Sequence, residues 1–193
     1  MCIRDSDIVN TTSTFAINKT ATTTSTLPID LVQTFTFDID CGAAGTAQVT
    51  VTTAADGSGS VSNADGIPLV APGTSCVVTE TNLPPDWTVT STNPASVSTV
   101  AGSIAEVEFT NEPDLVELSV VKVIDGLPAA LDPDDFSFLI DITCVGGFST
   151  IDGTYQELGA PLSTVQPTLL SGLPAMTECT VVEAATNEFT PQL

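Results

Sequence analysis

Two lysines, four cysteines, two glutamates and one asparagine carry the chemistry this sequence can do. Lys19 and Lys122, Cys41 and Cys144, Cys76 and Cys179, and Glu80 and Glu183 are each 103 residues apart. Four landmarks at one ungapped spacing mean two copies of one module. Short motifs recur with them: FTFDIDC (35–41) matches FLIDITC (138–144), and TSCVVTET (74–81) matches TECTVVEA (177–184). The lysines are the most informative, because an amine left alone in an apolar core loses its proton or costs several kcal/mol. An inward glutamate has the mirror-image problem. Lys19 with Glu80, and Lys122 with Glu183, must therefore share sites. The two cysteines of each copy, 35 residues apart, read as one disulfide per module, Cys41 with Cys76 and Cys144 with Cys179. A pair of buried free thiols is the other reading. A metal site is weaker still, since each copy has two cysteines and the chain has no histidine.

Strands must position these groups. In the first copy, short runs of β-branched and aromatic residues alternate with Gly, Pro, Asn and Asp clusters, which is a sandwich pattern and not a helical one. Seven strands are expected near 14–20, 33–40, 47–53, 58–62, 75–81, 86–92 and 104–111. ADGSGS reads as a hairpin turn and LPPD as a loop. Side chains alternate faces along a strand. Phe15, Ile17 and Lys19 then share a face, as do Phe35, Phe37, Ile39 and Cys41, then Cys76, Val78 and Glu80, and finally Val107, Phe109 and Asn111. The second copy repeats this with Leu118, Val120 and Lys122, with Phe138, Ile140, Ile142 and Cys144, and with Cys179, Val181 and Glu183.

The fold class that follows is all-β: tandem seven-stranded Greek-key sandwiches of immunoglobulin-like or prealbumin-like type, the second copy truncated. The first module is expected over 13–113 and the second over 115–193, lacking the last strand. The equivalent of Asn111 would fall beyond the end of the chain. Residues 1–12, opening MCIRDS and including Cys2 and Arg4, differ in character and are set aside as a leader, unstructured or artefactual. The short NEPD junction, with Pro113, is expected to join the modules stiffly.

Composition removes whole classes of function. Three basic residues against 24 acidic ones give a formal net charge of −21. Nucleic-acid binding lacks its main source of affinity, and an anionic membrane surface is excluded for the same reason. Without histidine, Ser-His-Asp and Cys-His nucleophiles are absent. Hydrophobic residues at 42% supply a core that a disordered chain of this charge would lack. No apolar run approaches the roughly 20 residues needed to span a bilayer, so no membrane insertion is expected. The Thr, Val and Ser content and paired cysteines indicate an exported protein, of which this chain is expected to be a piece.

The lysines of FAINKT and LSVVKV, the glutamates of VTET and VVEA, and the asparagine of VEFTN resemble the Cna B-type (SpaA-like, prealbumin-like) modules of bacterial surface proteins. The cysteine-bearing version is similar to repeat modules of unknown function in secreted actinobacterial proteins. The resemblance implies an isopeptide bond between Lys19 and Asn111, assisted by Glu80. Glu80 would polarise the asparagine oxygen and shuttle protons. The alternative is a buried, ion-paired cluster with no covalent bond. Lys122 and Glu183 form an incomplete second set.

Other candidates are weaker. Asp38 and Asp141 fall on the solvated face. The acidic loop 131–136 and the group Asp56, Asn63 and Asp65 could offer oxygens to calcium, but match no ligand spacing and read better as turns. Asn10 and Asn18 begin Asn-x-Thr sequons, and Trp87 after LPPD is either packed or exposed for contact. The leading expectation is a stalk or spacer repeat of a secreted or cell-wall-associated bacterial protein. It is not an enzyme, has no cofactor or metal, and its partners are neighbouring repeats. The alternative is an adhesion module whose tip loops recognise a host or matrix sugar or protein. A glycosidase with paired carboxylates would need a cleft that short loops do not provide.

Overall fold

Alternation of side chains organises the first half of the chain. A computed structural model of the protein describes residues 12–120, 137–146, 150–158 and 168–183. Among these residues, thirteen β-strands and two 3-10 turns are formed and no α-helix. Residues 1–11 of the 1–12 leader, with Asn10 among them, Lys122 and the acidic loop 131–136 lie outside the described residues. Contacts divide the chain into two compact units. One holds residues up to Thr23 together with Leu31–Pro113, and the other holds Thr24–Asp30 together with residues from Asp114 onward.

The first unit is a sandwich of two four-stranded sheets. The strands are β1 (Thr14–Ala21), β2 (Thr34–Asp40), β3 (Thr46–Thr52), β4 (Ser58–Val61), β5 (Ser75–Thr81), β6 (Trp87–Val89), β7 (Ala95–Ser98) and β8 (Ile104–Pro113). Their orders are β4-β1-β8-β6 and β3-β2-β5-β7, so the chain crosses repeatedly between sheets. β1 lies inside its sheet, antiparallel to β4 and parallel to β8, with Ile17 opposite Val107 and Ala21 opposite Asn111. Every second residue points inward. Phe15, Ile17, Phe35, Phe37, Ile39, Val78 and Phe109 are all fully buried, each stabilising the fold by about 1.5–3 kcal/mol relative to exposure. Trp87 is buried edge-on against Phe35, with ring centroids 5.9 Å apart.

The strand count is eight where seven were expected. The added strand is β7, a short edge strand next to Pro94 and among serines, which pairs only with β5 and buries only Val97, so it carries almost no alternation. ADGSGS does close a tight turn, with Ala54 N–H donating to Ser58 O at 2.8 Å and Gly57 N–H to Ala54 O at 2.9 Å. The strands it joins nevertheless enter different sheets. Gly57 has φ +81, and a Cβ there would lie 2.0 Å from Ala21 O. Gly57→Ala should therefore cost about 2 kcal/mol, read as a lowered urea midpoint. An unchanged midpoint would mean that this turn is not held against β1.

The second unit contains β9 (Leu115–Val120), β10 (Ser137–Val145), β11 (Thr150–Leu158), β12 (Thr168–Pro174) and β13 (Glu178–Glu183), ordered β11-β10-β13 and β12-β9. Its core gathers Ile140, Ile142, Cys144, Leu170 and Leu173, with Leu27, Leu118, Val120 and Cys179 packed against it. Thr24–Asp30, between β1 and β2 in sequence, thus contributes to this unit. Ser25 Oγ donates to Gly172 O at 2.6 Å.

Candidate functional site

Three strands of the first unit aim one polar side chain each into its apolar interior. Lys19 comes from β1, Glu80 from β5 and Asn111 from β8, and they are 1%, 5% and 0% exposed. Parity puts them there: each continues an inward row, behind Ile17, Val78 and Phe109 respectively. Such groups survive in a core only by satisfying one another.

They do so closely. Lys19 Nζ donates to Asn111 Oδ1 in a very short contact and lies 3.2 Å from Glu80 Oε1. Asn111 Nδ2 donates to the same Glu80 oxygen at 2.9 Å. Oε1 therefore touches both the amine and the amide nitrogen, whereas the asparagine oxygen faces lysine. This differs from the sequence expectation, in which Glu80 polarised the oxygen. Glu80 Oε2 is buried without a hydrogen-bond partner, a state that favours a protonated carboxyl.

Burial pushes the Lys19 amine down from 10.5 to about 8, against the opposing pull of Glu80. Burial pushes the Glu80 carboxyl up, against the opposing effects of Lys19 and Asn111. Both shifts favour the neutral pair, the form in which an amine is a nucleophile and a carboxyl a proton donor.

Two supporting residues were not singled out from sequence. Asn93 brackets the glutamate backbone: its Oδ1 accepts from Glu80 N–H at 2.9 Å and its Nδ2 donates to Glu80 O at 3.1 Å. It extends the β5 ladder past Ala95, where backbone pairing with β7 stops. The Phe35 ring lies under the amine, 4.2 Å from Lys19 Nζ, a cation–π contact that offsets part of the desolvation of a charged lysine. The Asn-Pro dipeptide marks a turn from sequence alone, but its side-chain partners become visible only in three dimensions.

The remaining candidates fall elsewhere. Cys41 and Cys76 are joined in a disulfide, as are Cys144 and Cys179. Glu183 is exposed, as is Val181 at 42%, which corrects the expectation that both face a closed core. Their counterparts Val78 and Glu80 are buried, Glu80 against Asn111 of β8. Asp38 is exposed and accepts from Gln48 Nε2 at 2.7 Å, and Asp141 is half-buried. Asp56 is held as a turn residue by Ser58 N–H and Oγ, which lower its pKa. Asp65 accepts from Ser62 N–H at 2.9 Å in a capping turn. Asn18 is half-buried on β1.

Solved structures to which the chain is similar include pilins. The chain is similar to the major pilin protein T-13 of Streptococcus pyogenes at 17% identity, covering 90% of this chain and 82% of that one with a TM-score of 0.48. A second major pilin structure from Streptococcus pyogenes matches at 15% identity, covering 89% and 82% with a TM-score of 0.48. No curated protein matches. Residues 15–114 and 118–192 each match one family along nearly the whole repeat, and the chain accordingly belongs to the family described as a domain of unknown function, DUF5979.

Proposed function

We propose that the chain is a structural spacer, a stalk segment of a secreted or cell-surface bacterial protein of the Cna B-type kind, whose first unit locks itself with a Lys19–Asn111 isopeptide bond. The observation that carries this reading is the enclosed Lys19, Glu80 and Asn111 cluster. A site with so little exposure acts on its own chain and not on a substrate from outside. Disulfides fit an oxidising location outside the cell. The acidic surface keeps neighbouring copies apart, and the partners of each repeat are the repeats beside it.

The chemistry balances within the three residues. Glu80 takes a proton from Lys19, and the neutral Nζ attacks Asn111 Cγ. Glu80 then returns the proton to Nδ2, which it already contacts, and takes the second proton that Nζ sheds on becoming an amide nitrogen, ending as a neutral carboxyl. The Cγ–Nδ2 bond breaks, ammonia leaves, and one amide replaces another. The reaction runs once, so the unit is not an enzyme.

Intact mass tests it. The fully reduced and alkylated chain should be lighter than its sequence by one ammonia, and Lys19→Ala and Glu80→Ala chains should have full mass. A parent of full mass would leave the cluster an ion pair and sink the cross-link. Titration gives a second readout. A free Lys19 has a folded pKa of about 8, below the unfolded 10.5. The unfolded chain then binds more protons across that window, and stability rises with pH through it. The amide cannot titrate. Thermal midpoints of the parent and of Lys19→Met should therefore run parallel from pH 8 to 10.5, and a parent that climbs relative to the variant contradicts the bond.

A further inference from the structure

The strands do not hold the three polar side chains of the cluster equally. Lys19 stands between Gly59 of β4 and Phe109 of β8, and Asn111 between Ala21 of β1 and Val89 of β6, so a paired strand flanks each on both sides. Glu80 has one such flank, Phe37 of β2. On its other side the β5–β7 pairing ends at Val78 with Ala95. Continued by two residues, the same antiparallel register would bring Asn93 opposite Glu80. The Asn93 side chain stands there in place of a strand. Its amide accepts from Glu80 N–H at 2.9 Å and donates to Glu80 O at 3.1 Å, the two bonds that a paired strand residue would exchange.

The segment that carries Asn93 is anchored at its other end beside Asn111. Thr90 N–H and Oγ1 donate to Thr110 O at 2.9 and 3.2 Å, and Ser91 Oγ accepts from Thr110 N–H at 3.0 Å. Thr90 to Asn93, between β6 and β7, thus run from the neighbour of the asparagine in one sheet to the backbone of the glutamate in the other. Fixing the Glu80 main chain fixes the direction of its side chain, which must hold Oε1 3.2 Å from Lys19 Nζ and 2.9 Å from Asn111 Nδ2 at once.

We propose that Asn93 is a positioning residue for the cross-linking reaction: its bracket on the Glu80 backbone sets the place from which the carboxyl relays protons between Lys19 and Asn111. Its two bonds go to the main chain and not to the reacting atoms. Without them Glu80 loses its second flank, and a proton relay that needs its groups placed within about 0.5 Å loses its geometry. The inference rests on the isopeptide reading given above.

The test follows the cross-link in time. The full chain is made by cell-free synthesis, samples are quenched in acid and denaturant, and intact mass after reduction and alkylation gives the fraction that has lost ammonia. Asn93→Ala, and the isosteric Asn93→Asp, which sets a carboxylate oxygen against Glu80 O where the amide donated, should each cross-link about tenfold or more slowly than the parent. Asn93→Gln keeps a primary amide and should recover part of the rate. Val97→Ala trims the one buried side chain of β7 and leaves the bracket in place, so it should cross-link at the parent rate. Fluorescence of buried Trp87 shows that each chain has folded. Asn93→Ala and Asn93→Asp chains that cross-link as fast as the parent, or a Val97→Ala chain slowed as much as they are, would overturn the positioning role and leave the cross-link standing. A parent that never loses ammonia overturns the cross-link itself, and this role with it.

Discussion

Lys19→Met and Glu80→Leu will each lower the stability of the first unit by at least about 3–5 kcal/mol, and the double variant will recover only part of that loss. Each single change leaves a buried polar group without its partner: Glu80 without the amine 3.2 Å away, or Lys19 without its carboxylate. The double variant leaves an apolar pair beside Phe35, so the desolvation penalty of the two charges disappears and what remains is the buried Asn111 amide without its two partners. The tether does not return. Lys19 and Asn111 are 92 residues apart, and a covalent link closing such a loop stabilises by about 4–5 kcal/mol on the chain-entropy model. The double variant should therefore stay well below the parent. Trp87 is the sole tryptophan and is buried in this unit, so its fluorescence through a urea titration reports the unit directly. A double variant as stable as the parent would mean that no cross-link had been lost.

That site was legible because charge at an inward position is rare enough to be decisive. Parity along four strands, read from alternating Phe, Ile and Val, points Lys19, Glu80 and Asn111 at one interior, and the constant spacing of the repeat guards against chance. What parity cannot give is cover. It placed Val181 and Glu183 on the inner side of β13, but whether an inner side is closed depends on another strand lying across it. Asn93 was illegible because it acts by bracketing a distant backbone, and alternation put Phe35 inside without showing that its ring lies under an amine. The packing of Thr24–Asp30 into the second unit rests on Leu27 and one serine hydroxyl, in a segment whose composition reads as an ordinary loop. β7 escaped because an edge strand with a single buried side chain has almost no pattern to read.

The two disulfides close loops of equal length, and this equality makes their difference in fate informative. Each spans 35 residues, so the entropic model assigns each about 4 kcal/mol, and a Cys41→Ala/Cys76→Ala chain should lose about that much by the Trp87 readout. Their surroundings are unequal. Cys41 and Cys76 are both buried, at 4% and 0% exposed, beneath a complete sandwich. Cys144 is also buried, but Cys179 is only half-buried on β13, beside exposed Val181 and Val182. Exchange requires a thiolate to reach a sulfur along the bond axis, which burial opposes. Among the described residues, the second unit also gathers fewer buried apolar side chains than the first. On stepwise addition of a reducing thiol followed by alkylation and peptide mapping, Cys144 and Cys179 should be labelled at reductant levels that leave Cys41 and Cys76 untouched. The reverse order of labelling would mean that the inner face of the second unit is closed in solution.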